Sequence, residues 1–241
     1  MPTEIHTPRR VLITGANRGI GLELARVFTA AGHRVWGSTR PGRSDQLMAV
    51  KPAGVIELDL LNEASIQQAL ADLAAQADGL DLLINCAGVD ARAFGTGDRP
   101  RGPFDLDAAT FTGVTAVNVT GPMVVTREAL GLLQAGNQPV VVNVSSQLGS
   151  MDFASGAGND TAYCVSKAGL NMLTVKSAAA LRQDGICVIS LHPGWVSTDM
   201  GGSAAPLTPA ESAMAIAQTV SGLTMADSGR FVTWDGRDHA W

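Results

Sequence analysis

Tyr163 and Lys167 stand four residues apart in Tyr163-Cys164-Val165-Ser166-Lys167, downstream of a paired serine, Ser145-Ser146. The grouping brings together a phenol, an ammonium and a hydroxyl. On a helix, residues i and i+4 share a face, so the spacing sets the ammonium beside the phenol. A nearby cation favours the phenolate and draws a tyrosine below its reference pKa of about 10. Such a tyrosine can pass a proton to or from a carbonyl oxygen near neutral pH. Tyr163 is the only tyrosine in the chain. The pair alone also suits a solvated helix surface, so its meaning rests on what surrounds it.

A second motif is Thr14-Gly15-Ala16-Asn17-Arg18-Gly19-Ile20-Gly21. It follows the apolar run Val11-Leu12-Ile13, which reads as a buried strand. It precedes a segment in which Ile20, Leu24, Val27 and Phe28 recur at helical spacing. A glycine-rich turn between a first strand and a first helix suits a dinucleotide. The glycines permit the tight turn and the helix N-terminus attracts pyrophosphate. The spacing departs from G-x-G-x-x-G, and a plain strand-to-helix turn is the alternative.

These motifs need a frame to position them. The spacing predicts strands over 10–14, 33–39, 54–58, 80–85, 138–145, 186–192 and 229–234. Helices are predicted over 19–31, 62–77, 107–134, 160–184 and 208–221. Asn62 is expected to cap its helix and Gly185 to stop the one before it. Runs such as Val140-Val141-Val142 suit strands buried on both faces. The expectation is an α/β fold: a single doubly wound domain over 1–241, with a parallel sheet of about seven strands flanked by helices. Segments 90–106 and 197–207 read as loops, the latter as a mobile lid. In such a sheet the ligand lies outside the carboxyl ends of the strands. Gly15, Arg40, Asp59, Asn85 to Gly88, Ser145-Ser146 and Pro193-Gly194 all fall at such ends.

The 241 residues are 46% hydrophobic, enough for a substantial core. A formal charge of −5 and the lack of a basic run argue against a nucleic-acid surface. Cys86, Cys164 and Cys187 form no metal-ligand pattern, so no metal is expected, and they read as buried free thiols. That suits a reducing, cytoplasmic setting. The polar start of the chain lacks an apolar signal core, and no membrane span is expected.

At this point the chain resembles the short-chain dehydrogenase/reductase family, from Arg10 to about Gly236. The matching pieces are Thr14 to Gly21, Asp59, Asn85-Cys86-Ala87-Gly88, Asn118, Ser146, Tyr163 with Lys167, and Pro193-Gly194. Within the family it is similar to C-factor and sniffer-type carbonyl reductases, through Ser145 to Ser150, Leu191 to Met200 and Thr208 to Ser212. Two departures are Cys86, where the family often has Asn or Ala, and a longer Ser146 to Tyr163 interval. The extra residues lie around Ser155 to Asp160.

The resemblance implies roles. Tyr163 would be the general acid/base, Lys167 its pKa-lowering neighbour and a ribose ligand, and Ser146 a hydrogen-bond partner of the substrate oxygen. Asn118 would hold a water in a proton relay behind Lys167, unless it is a polar residue on a helix face. The cofactor would lie against Gly15, Asn17, Arg18, Gly19, Ile20, Gly21, Arg40, Asp59, Leu60, Asn85, Ala87, Gly88, Tyr163, Lys167, Pro193, Gly194, Val196 and Thr198. Asp59 would approach the adenine, with helix capping as its rival role.

Strand two ends in Thr39-Arg40 with no acid to hold the ribose hydroxyls of NAD(H). Arg40 and Arg18 can face a 2′-phosphate, so NADP(H) is the expected cofactor. Solvated loop charge is the alternative for Arg40 and Arg43. Phe94, Met151, Phe153, Trp195 and Met200 are candidate pocket walls and suggest a hydrophobic carbonyl or alcohol substrate. Phe94 and Phe153 also suit a satellite core. Ser145 and His192 read as structural. Three functions follow: an NADPH-dependent carbonyl reductase, an NAD-linked alcohol dehydrogenase, or a low-turnover nucleotide-binding signalling protein. Relatives commonly pair through helices 107–134 and 160–184, so a homodimer or homotetramer is expected.

Overall fold

Apolar residues alternate between two faces along each short strand, and each face needs a cover. Val11 and Ile13 enter one buried cluster, while Leu12 enters another. The chain answers by laying helices on both sides. The computed structural model describes residues 8–97, 99–156 and 158–241. The polar stretch 1–7, and single positions 98 and 157 in the loop regions, lie outside the described residues.

The elements run β1 (Arg10–Ile13), α1 (Gly19–Ala30), β2 (Arg34–Thr39), α2 (Asp45–Met48), β3 (Gly54–Glu57) and α3 (Glu63–Ala74). Then come β4 (Leu82–Asn85), a 3-10 turn (Ala91–Phe94), α4 (Ala108–Thr115), a π turn (Ala116–Thr120), α5 (Gly121–Glu128) and α6 (Leu130–Gln134). They continue with β5 (Val140–Val144), a 3-10 turn (Gln147–Gly149), α7 (Met151–Ala154) and α8 (Thr161–Ala180). The last are β6 (Cys187–His192), α9 (Pro209–Ser221), a 3-10 turn (Met225–Asp227) and β7 (Phe231–Thr233). The seven strands pair in the order β3-β2-β1-β4-β5-β6-β7, every pair parallel. Doubly wound α/β architecture is thus present as expected.

One face of the sheet is covered by α1 and α9, through Leu24, Phe28, Ala213 and Ile216. The other is covered through Ile66, Leu70 and Leu73 of α3, Val124 and Val125 of α5, and Ala178 of α8. Fully burying one such aliphatic side chain is worth roughly 1.5–3 kcal/mol. The chain winds outward from β1 in one direction and from β4 in the other. The carboxyl ends of β1 and β4 therefore frame the crevice where such folds bind ligands.

The expected helix over 107–134 runs continuously over 108–128 with a π turn inside it, and α6 follows as a separate short helix. Pro122 lacks the N–H that a regular helix would bond to residue 118. The backbone answers with the π turn immediately before it. Residues 108–128 are long and apolar enough to cross a membrane by length and composition. Here, however, Val114, Val117, Val124 and Val125 are buried within the fold. The helix expected to reach 184 ends at Ala180, and Gly185, at φ 68°, closes the turn that follows. Asn62 caps α3 by accepting from the Ser65 N–H at 3.3 Å, as expected.

Candidate active site

The crevice begins where β1 meets β4. Gly15 has φ 68°, and a Cβ there would lie 2.8 Å from Ala87 Cα. A Cβ on Gly21 would lie 2.4 Å from the Gly15 carbonyl oxygen. The turn thus admits no side chain at either place. Thr14 Oγ1 accepts from the Cys86 and Ala87 N–H groups at 3.0 and 3.1 Å and staples the turn to the end of β4. Thr14 stood in the motif but was not singled out; its position at the strand end was the available signal. The N-terminus of α1 has no side-chain cap and no acid in its first turn, so its N–H groups and dipole are left to an anion. These residues fit the pyrophosphate of a nicotinamide dinucleotide.

The rest of the expected cofactor surface divides. Asn17, Ile20, Leu60, Gly88 and Gly194 are partly exposed along the carboxyl edge. Thr198 reaches over α1, because a Cβ on Gly19 would lie 3.5 Å from its Cγ2. Arg40 is exposed at the end of β2, and among the described residues neither it nor Arg43 has an ion-pair partner. Arg18 instead pairs with Asp199 at 2.7 Å across the crevice. Asp59 accepts from the Leu61 N–H at 3.0 Å, a local turn rather than the helix cap. Asn85 turns its side chain into the fold, where its amide donates to Thr126 Oγ1 at 3.2 Å and Asn143 Oδ1 at 2.9 Å. Pro193 and Val196 are likewise buried; the Pro193 carbonyl accepts from Ser212 Oγ at 2.7 Å. Glu57, overlooked in sequence, stands opposite Thr39 in the β2–β3 register. It accepts from the Gly42 N–H at 3.2 Å, which shapes the loop carrying Arg40.

At the end of β5, Ser146 opens the 3-10 turn, its Oγ accepting from the Leu148 N–H at 3.1 Å. Tyr163 and Lys167 share the first turns of α8. A Cβ on Gly149 would lie 2.7 Å from the Lys167 carbonyl carbon, so the serine turn lies tight against the helix. Burial pushes the Tyr163 phenol above its ordinary pKa, and hydrogen bonding with Ser146 opposes that rise. Burial also draws the Lys167 ammonium down to about 8, against a smaller raising effect of Cys86. The lowered tyrosine pKa expected from the i, i+4 spacing is therefore not found. Burial of the phenol outweighs the cation: Lys167 Nζ does lie over the phenol ring, 5.6 Å from its centre, while donating to the Val144 carbonyl at 2.8 Å.

Asn118, expected behind Lys167, sits fully buried in the π turn. Its Nδ2 donates to the Val89 carbonyl at 2.8 Å and Ser166 Oγ at 2.9 Å. An exposed helix face is thereby excluded. Ser145 is structural, as expected: its Oγ donates to Asn171 Oδ1 at 2.6 Å. His192 is also structural, its Nδ1 accepting from the Gln147 N–H at 3.2 Å. Burial, with His239 adding to it, lowers His192 to about 4, so the ring is neutral near pH 7.

The expected substrate wall is mixed. Met151, Phe153, Trp195 and Met200 are exposed. Phe94 instead packs on the small cluster of Ala91, Val114 and Ala162, which is the satellite-core alternative. The lid over 197–207 is tied down at several points. Arg92 Nη2 donates to the Met200 carbonyl and Trp195 Nε1 to the Gly201 carbonyl, at 2.7 and 2.8 Å. Cys86, Cys164 and Cys187 are free thiols. Among the described residues, no group of three His, Cys, Asp or Glu side chains is placed to hold a metal ion.

The family model described as short chain dehydrogenase matches residues 9–207. NADPH-bound carbonyl reductase from chicken fatty liver is 31% identical, with TM-score 0.87, covering 97% of this chain and 99% of that one. Carbonyl reductase Sniffer of D. melanogaster is 30% identical, also with TM-score 0.87, covering 98% and 100%. C-signal of Myxococcus xanthus is 36% identical over 162 residues, 67% of this chain and 93% of its own length. With the glycine turn, the parallel sheet and the Ser146, Tyr163 and Lys167 grouping on one crevice, these likenesses show that the chain belongs to the short-chain dehydrogenase family.

Proposed function

We propose that the protein is an NADPH-dependent reductase of hydrophobic ketones or aldehydes. The observation that carries this is the grouping of Ser146 and Tyr163 at one crevice with the uncapped N-terminus of α1. Arg40 at the end of β2, whose guanidinium has no ion-pair partner among the described residues, favours the phosphorylated cofactor, since guanidinium matches phosphate geometry.

When bound, NADPH supplies the hydride. The chain's residues manage the charge that develops on the carbonyl oxygen. Ser146 Oγ donates a hydrogen bond to that oxygen, and Tyr163 donates first a hydrogen bond and then its proton. A phenol whose pKa is raised by burial holds its proton at pH 7, as an acid in the reducing direction must. Lys167 keeps a positive charge behind the phenol and becomes its electrostatic partner as the phenolate forms. Asn118 fixes the loop after β4 and the first turns of α8 relative to each other through Val89 and Ser166.

The exposed Met151, Phe153, Trp195 and Met200 suit an apolar substrate. The three free thiols suit a reducing compartment such as the cytosol. Exposed Val165, Met172 and Val175 on α8 suit pairing of copies as a dimer or tetramer.

One observation favours a second reading, NAD-linked oxidation of an alcohol: Arg18 is already engaged by Asp199. Loss of NADPH or NADH absorbance with a panel of aldehydes and ketones, and its gain from NADP or NAD with alcohols, separates the two. No turnover of any carbonyl with either reduced cofactor would refute the reductase reading.

A further inference from the structure

Beyond β7 the chain folds back. The Thr233 N–H donates to the Arg237 carbonyl at 2.8 Å, Asp238 bridges Val232 in antiparallel sense, and the His239 N–H donates to the Phe231 carbonyl at 2.8 Å. This return brings residues 239–241 to the substrate side of the crevice. The Trp241 main-chain oxygen accepts from the Met151 and Asp152 N–H groups at 3.1 and 3.4 Å, and from Ser150 Oγ at 3.2 Å. The Trp241 ring lies on Phe231 at 5.3 Å. The His239 ring stands 4.6 Å from Phe231, 5.7 Å from His192 and 6.4 Å from Phe153, centre to centre. His192 in turn accepts from the Gln147 N–H, next to Ser146.

We propose that His239 and Trp241 are specificity-determining residues, which position the wall formed by Met151 and Phe153 for bulky apolar carbonyl substrates. The proposal rests on the reductase reading above. Its physical basis is the isolation of α7. The helix has only four residues and no buried side chain of its own. Besides its own caps, it is held by donors that converge on one oxygen of the returning segment. Its Phe153 ring meets the His239 ring of the same segment. A short helix without a core takes its position from such contacts. A large apolar substrate would touch Met151 and Phe153, whereas a small one need reach only Ser146 and Tyr163. The returning segment therefore acts on binding of large substrates rather than on the proton transfer. His239 and Trp241 are positioning residues, with no part in the chemistry.

The test uses full-length His239→Ala, Trp241→Ala and His239→Phe. Propanal and a naphthyl ketone serve as substrates with NADPH, and amide hydrogen exchange is followed across 147–156. His239→Ala should raise KM for the naphthyl ketone by about tenfold or more, with KM and kcat for propanal kept within about twofold. His239→Phe, which retains a ring against Phe153 and Phe231, should restore most of the loss. In His239→Ala and Trp241→Ala, exchange at Met151 and Asp152 should quicken by about tenfold, while the β5 amides stay protected. Equal losses for both substrates, no loss for either, or unchanged exchange at Met151 and Asp152 would each overturn the proposal. If the unmodified protein turns over neither carbonyl, the reductase reading fails. The exchange measurement then decides by itself whether the segment holds the wall.

Discussion

Asn118 and Val89 form a closed pair. The Asn118 Nδ2 donates to the Val89 carbonyl at 2.8 Å, and the Val89 N–H donates to Asn118 Oδ1 at 2.9 Å. The side-chain amide acts as a short length of strand, binding the segment after β4 to the π turn. The remaining Nδ2 hydrogen serves Ser166, between Tyr163 and Lys167 on α8. One buried residue thus joins three segments that meet at the crevice.

Asn118→Leu should consequently destabilise the fold. It leaves the part-buried Val89 N–H and carbonyl without their partner, each costing up to about 1–3 kcal/mol. A total loss of about 3 kcal/mol is expected, measured by urea denaturation. Asn118→Asp, which keeps the acceptor for Val89 N–H but loses the donors, should fall between. A loss below about 1 kcal/mol for the Leu variant would show that the pair is not a structural tie.

Tyr163→Phe should lower turnover by about 100-fold or more while leaving NADPH binding within about twofold. The phenol holds the proton, and the ring remains to pack. Retention of more than roughly a tenth of the rate would remove Tyr163 from the acid role.

The pKa of Lys167 makes a prediction about stability. Its folded value, about 8, lies below its ordinary 10.5. Below pH 8 both states carry the proton, and burying the charge costs stability in full. Between pH 8 and 10.5 the folded state sheds the proton first, so the cost fades as pH rises. Lys167→Met removes the buried charge but leaves the Val144 carbonyl without its donor, so relative to the unmodified protein its melting temperature should show a gain at pH 7 over its value at pH 10. An equal difference at both pH values would show that packing, not charge burial, separates the variants.

What was legible in the sequence followed from period and position. Alternating apolar runs and glycine-bearing strand ends located seven strands and the crevice, because side-chain periodicity follows from backbone geometry alone. Asn62 as a cap was readable because capping is a local hydrogen bond. The failures were tertiary. The i, i+4 spacing put Lys167 beside Tyr163, but could not show that burial of the phenol would outweigh the cation. Nor could position at a strand end show that the Asn85 amide would bond Asn143 on the adjacent strand. Pro122 lies in plain view within the predicted helix and signals the π turn that precedes it. The role of residues 239–241 has no local pattern, since it depends on a chain reversal that meets α7 from far along the sequence.

Cofactor preference turns on two arginines in different states. Arg40 has no ion-pair partner among the described residues, while Arg18 is held by Asp199 in an exposed pair. Exposed pairs are worth only about 0–1 kcal/mol, so a phosphate can displace Asp199 at little cost. NADPH should accordingly bind about tenfold or more tightly than NADH, a difference of about 1.4 kcal/mol. Arg40→Asp should erode or reverse this, by removing a cation and adding an anion that repels the 2′-phosphate but accepts from ribose hydroxyls. Asp199→Asn frees Arg18 and should tighten NADPH more than NADH only if Arg18 meets the 2′-phosphate; equal tightening would assign it to the shared pyrophosphate. Titrating both cofactors against the three proteins checks each step. Equal affinity for NADH and NADPH in the unmodified protein would sink the cofactor assignment, and an unchanged ratio in Arg40→Asp would move the phosphate contact away from Arg40.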